Sequence, residues 1–219
     1  MTAAHDPGHA GDDNAAPAPR LPLPGALAPP PERRAAIWDA PVQRTALCAA
    51  DPLVWLLGAH GGAAVSTLTA SLAWAGETGG AWPSGGHGDS PLVAVVARTH
   101  VRGLRAAHDR AMEYRAALTP PGVHLLGLIL VVDTDRRPNT DLTREITRVS
   151  SVFDNVWRLG WIEPWRHLLP EELPAWAPTS ELPSDRRAAG DVRRVPVPPV
   201  RALHDSLLAA AAAALRNPQ

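Results

Sequence analysis

A short apolar run, Leu53–Leu57, opens directly into Gly58-Ala-His-Gly-Gly-Ala-Ala-Val-Ser-Thr67, and a helical pattern follows. Strand, glycine loop and helix in that order place the loop at the carboxyl edge of a parallel sheet. There its backbone N–H groups can cradle phosphate, normally with the help of one lysine just ahead of the hydroxyl pair. Here Val65 takes the lysine's place. No lysine can be borrowed from elsewhere in the chain, because all 21 basic residues are arginine. The segment thus predicts a fold built around a phosphate loop and argues against the chemistry such a loop usually performs.

On these residues the chain resembles the ParA/MinD group of P-loop ATPases, whose loop reads K-G-G-x-G-K-[ST]-T. His60 lies where the first lysine of that frame would be. Gly61 and Gly62 match, Ala63 is the free position, Ala64 replaces the third glycine, and Ser66 and Thr67 match the hydroxyl pair. The segment is similar also to uncharacterised bacterial proteins reading G-A-H-G-G-x-G-V-S-T. The resemblance extends loosely from Leu53 to Trp165. It implies a reduced P-loop NTPase-like α/β fold, a mostly parallel sheet flanked by helices. It also implies an asparagine near the base, and Asp133 falls at that position.

Composition narrows the function. The 219 residues suffice for one domain with a core and some tail, and 45% hydrophobic residues is ordinary for a globular protein. A net charge of −1 gives no electrostatic case for nucleic acid or an anionic membrane. One cysteine, Cys48, excludes an internal disulfide framework and a cysteine-cluster metal site. The N-terminus does not read as a signal peptide, and no apolar run approaches the roughly 20 residues of a membrane helix. The expected compartment is the cytoplasm.

The chain divides into four parts. Residues 1–45, rich in Ala, Pro, Asp and Gly, read as a disordered tail. Residues 46–170 read as the P-loop-like α/β domain. Within it the pattern predicts strands at 53–58, 92–97, 125–132 and 156–161, and helices at 66–75, 101–118 and 141–153. Residues 77–90 read as a glycine-rich loop carrying Glu77 and Asp89, with no strand-terminal aspartate of the Walker B kind. Residues 171–200 read as a Pro-rich linker, with Trp165 and Trp176 as its attachments. Residues 201–216 read as a C-terminal helix with an apolar edge of Leu203, Leu207 and Leu208. That edge can pack on its own domain or dock a partner or second copy.

The candidate site residues are Gly58, His60, Gly61, Gly62, Ser66 and Thr67 for a vestigial nucleotide or anion site, with Asp133 on the base side. Ser66 or Thr67 can bind an anion or cap the helix. The strand-end groups His60, Arg98-Thr99-His100 and Asp133 also offer a metal reading, whereas Trp157, Trp161 and Trp165 read as core filler. No catalytic residue is assigned. The expectation is a pseudo-ATPase, an adaptor or regulatory protein with a protein partner, for which a homodimer is one arrangement. It has no required cofactor and at most weak ATP and magnesium binding. The alternatives are a divergent ATPase or GTPase of the ParA/MinD type and a phosphate- or anion-sensing module.

Overall fold

The computed structural model describes residues 21–23, 27–86 and 88–216. Among these, five parallel strands form a single sheet: β1 (Val54–Gly58), β2 (Ala75–Glu77), β3 (Leu92–Arg98), β4 (His124–Val131) and β5 (Val156–Leu159), in the spatial order β2-β1-β3-β4-β5. The helices are α1 (Val65–Ser71), α2 (Val101–Arg115), α3 (Thr140–Ser150), α4 (Arg186–Ala189) and α5 (Pro198–Arg216). The α/β fold with a parallel sheet flanked by helices is therefore as the sequence indicates.

Both faces of the sheet are buried, which is why β3 and β4 are apolar throughout. Val54 and Leu56 of β1 face one layer, made by Leu68 of α1 and by Val200, Leu203, Leu207 and Ala211 of α5. Trp55 and Leu57 face the other, made by Leu104 and Ala107 of α2 and by Ile146 and Val149 of α3. The alternation slips once, at Gly127. There β4 bulges against β3 and Asn155 holds the kink by donating its side-chain N–H to Leu126 O at 2.7 Å.

The apolar edge of α5 thus packs on its own domain. Leu203 and Leu207 are buried and Leu208 is partly so, while Leu215 stays exposed. Trp157 and Trp165 pack against the same layer, in line with their reading as core. Trp176 attaches the preceding segment by pairing with Leu72, its N–H donating to Ser71 O at 3.0 Å. Among the described residues no helix is long and apolar enough to cross a membrane.

Two expectations need correction. The first is the helix drawn to residue 75. It ends at Ser71, where Leu72 turns extended and Trp176 is pinned to its last turn. Three residues later the chain is already in β2, so there are five strands and not four. Gly76, which reads as a helix stop, is a strand glycine that makes room for the Trp55 indole. A Cβ there would lie 2.5 Å from Trp55 Cζ3.

The second is the tail drawn to residue 45. Part of it, 1–20 and 24–26, lies outside the described residues. From residue 27 onward the chain is a strap packed along the α2 side and the β2 edge. Arg33 pairs with Asp109 at 2.8 Å, and Ile37 bridges Trp82. Trp38 donates its indole N–H to Thr78 O at 2.9 Å, and Val42 is buried. The strap is fixed mostly by polar bonds to distant residues, so it carries little apolar period of its own.

Candidate functional site at the glycine loop

The strand order reverses direction between β1 and β3, because the chain steps from β1 outward to β2 and then back across β1 to β3. In open α/β sheets ligands occupy the crevice at the carboxyl ends of such a reversal. The glycine loop leaves β1 at this point. A cleft of about 540 Å³ opens over it, lined by residues 58–67 together with Glu77, Gly79, Gly80 and Arg98. Gly58, His60, Gly61, Gly62, Ser66 and Thr67 are thus brought together as the sequence indicates. Asp133 does not line this cleft.

At Ala64 the loop has a glycine-like backbone without a glycine. Ala64 has φ +75° and ψ +24°, the left-handed conformation, and stands at the N-cap of α1 without a side-chain cap bond. For a residue with a Cβ that conformation costs roughly 1 kcal/mol. Gly62, at φ +78°, meets the same demand without penalty. Val65, in the lysine's position, is partly buried and packs its side chain against the α1–α5 layer. A Cβ on Gly58 would lie 3.0 Å from Val65 Cγ2, so the valine folds back onto the strand end.

Ser66 neither caps the helix nor stands free. Its hydroxyl donates to Glu77 Oε2 at 2.8 Å. The second carboxylate oxygen, Oε1, accepts from Thr45 Oγ1 of the strap at 2.8 Å. A strand-terminal acid beside the loop hydroxyl therefore exists. It was hidden because β2 is three residues long, too short for any period to show, and because its acid follows Ala-Gly in a stretch that reads as loop.

His60 lines the cleft with both ring nitrogens engaged by the backbone. Nδ1 lies 2.8 Å from Gly61 O, so that nitrogen carries the proton. Nε2 accepts the backbone N–H of Arg98 at 3.2 Å. This pattern fits the neutral ring only. Burial pushes its pKa below the usual histidine value. The Gly61 carbonyl opposes that shift, while His100, Arg98 and Arg102 add to it. The ring sits 4.8 Å from that of His100, under the start of α2, where Gly103 leaves space for it. His100 itself caps α2, its Nδ1 accepting the Gly103 N–H at 2.9 Å.

Arg98, at the end of β3, supplies the cation of the cleft lining. Its guanidinium reaches two carbonyls, Gly62 O from Nε at 3.4 Å and Val132 O from Nη1 at 3.3 Å. Burial lowers its pKa and the Asp133 carboxylate raises it again; an arginine remains charged under both. Asp133 accepts the Thr99 hydroxyl at 3.0 Å and gives its own N–H back to Thr99 Oγ1 at 3.4 Å, so it ties β3 to β4. Among the described residues no group of three or more His, Cys, Asp and Glu is placed to hold a metal ion. The His60, His100 and Asp133 set is spent instead on backbone N–H groups and a hydroxyl.

Compared with protein-family models, with curated proteins and with solved structures, the chain matches none.

Proposed function

We propose that this protein is a non-hydrolysing relative of the P-loop ATPases, ParA/MinD-like in its loop frame, that acts as an adaptor or regulatory subunit through protein–protein contacts in the cytoplasm. The observation that carries this reading is the charge arrangement at the loop. Val65 is folded inward where a phosphate-binding cation is needed, and Glu77 places a carboxylate on the loop hydroxyl. Phosphoryl transfer depends on positioning and on stabilising charge, so a loop in this state has lost what that reaction needs. A triphosphate entering the cleft would meet backbone N–H groups, Arg98 and a carboxylate. Neutral hydrogen bonds contribute about 1 kcal/mol each and charge-assisted ones about twice that, which leaves binding near millimolar.

Calorimetry with ATP and magnesium tests this directly. The expected result is no turnover and no binding tighter than roughly millimolar. A micromolar dissociation constant abolished by Gly62→Val would overturn the reading.

A second reading, a weak phosphate or anion sensor, is favoured by one observation. The loop keeps its left-handed turn at Ala64 and an open cleft with Arg98 on its wall, although neither is needed by a filled-in relic. Inorganic phosphate that shifts the exchange rate of the loop amides at tens of millimolar would support it.

A further inference from the structure

Glu77 is held from two sides by two different parts of the chain. On one side is the loop, through Ser66 Oγ on Oε2; on the other is the strap, through Thr45 Oγ1 on Oε1. The strap also reaches the backbone of the same short strand. Cys48 Sγ accepts the Glu77 N–H at 3.3 Å, and Ala49 N–H donates to Ala75 O at 3.0 Å. The far end of the strap is fixed elsewhere, on α2, by Arg33 to Asp109 and by Ala35 N–H to Glu113 Oε1 at 3.1 Å. The Thr45–Ala49 end is thus held largely through β2 and its terminal acid.

We propose that Glu77 couples the seating of this end of the strap to the state of the glycine loop, so that a change at the loop is passed to a surface that a protein partner can read. The inference rests on the reading of the loop as a non-hydrolysing site and names how that site would be regulated. The chemistry is simple. The Ser66 hydroxyl has one proton, and it can donate to Glu77 or to an anion in the cleft but not to both. An anion that takes this proton removes a donor from Oε2 and brings negative charge toward the carboxylate. Glu77 then swings from the loop, and its bond to Thr45 loosens with it. Coupling of this kind is reciprocal: releasing Thr45 must alter the loop by the same factor.

The full chain allows the test because Cys48 is its sole cysteine and sits at the strap end. The rate at which a thiol reagent labels Cys48 reports the seating of the strap. Hydrogen exchange at the amides of residues 60–67 reports the loop. Ser66→Ala, made in the loop, should speed Cys48 labelling about three- to tenfold, the scale of one hydrogen bond. Thr45→Val, made in the strap, should speed exchange in the loop by a similar factor. In a Glu77→Gln background Ser66→Ala should add little, because the relay is already cut. If neither change crosses over, or if only one does, the two sites are not coupled through Glu77 and the proposal is overturned. These arms need no ligand. Its failure is therefore distinct from that of the functional reading, which falls on ATP turnover or micromolar ATP binding in the same protein.

Discussion

Two glutamates hold the two ends of the same strap, and they do so in opposite ways. Glu113 is almost wholly buried on α2. It pairs with Arg110 at 2.7 Å, accepts the Trp82 indole N–H at 2.6 Å and the Ala35 N–H, while Arg110 also reaches Arg33 O. Glu77 is half-exposed and is met by two hydroxyls, one from the strap and one from the loop. A buried ion pair with all its oxygens occupied is costly to disturb, whereas a carboxylate shared by hydroxyls near water can exchange partners. The strap is accordingly fixed at one end and adjustable at the other, and the adjustable end is the one at the cleft.

The largest effect should come from breaking the fixed end. Glu113→Ala leaves Arg110 buried and unpaired and frees the Trp82 indole, which should cost about 3–5 kcal/mol in chemical denaturation. A loss under about 1 kcal/mol would show that the two ends are held alike. The ionisation of Glu113 adds a pH signature. Burial, against Trp82, Arg110 and Ala35, raises its pKa above the ordinary carboxyl value. A raised acid favours folding when protonated, so its contribution is lost as pH climbs from the ordinary value through the folded one. Glu113→Gln should flatten that part of the stability profile.

At the adjustable end, Glu77→Ala should cost about 1 kcal/mol or less by the same denaturation, since two hydroxyls near water are all that lose a partner. Similar losses at Glu77 and Glu113 would erase the contrast. Beside it, Ala64→Gly should raise stability by about 0.5–1 kcal/mol, because the left-handed turn is then free of its Cβ. No gain, read as an unchanged melting temperature, would mean that the loop relaxes at no cost. The smallest effect is expected from His60. Burial lowers its pKa, so it resists protonation in the fold while the unfolded chain does not. Stability should therefore be full above the ordinary histidine value of 6.5 and fall as pH drops from there through the folded value. His60→Gln should remove part of that slope. His108, lowered mainly by its own burial, accounts for a further part.

What could be read in advance follows from how each part is held. Leu92–Ala97 is apolar at every position, and that alone marks a central parallel strand. The glycine loop announces itself by spacing. The C-terminal helix does so by its alanines, with the leucines marking its apolar edge. The strap does not, because Arg33, Ala35 and Thr45 are types common on any surface, and their partners Asp109, Glu113 and Glu77 lie far away in sequence. Glu77 reads only as a loop acid, and not as the end of a strand, for the same reason, compounded by a strand of three residues. Asp133 follows β4, and its carboxylate is taken by Thr99, a bond no pattern in one sequence announces.

The same strap has a consequence for self-association. A sheet ends in rows of backbone groups that can pair with another chain, and such edges are a common start of aggregation. β2 is one such border. Its outward Ala75 carbonyl is taken by Ala49, and its outward Glu77 N–H by the Cys48 sulfur. These bonds seal the border beside the cleft with the protein's own N-terminal segment. A strap that lifts at Thr45 would therefore bare, beside the cleft, a strand able to add a neighbour.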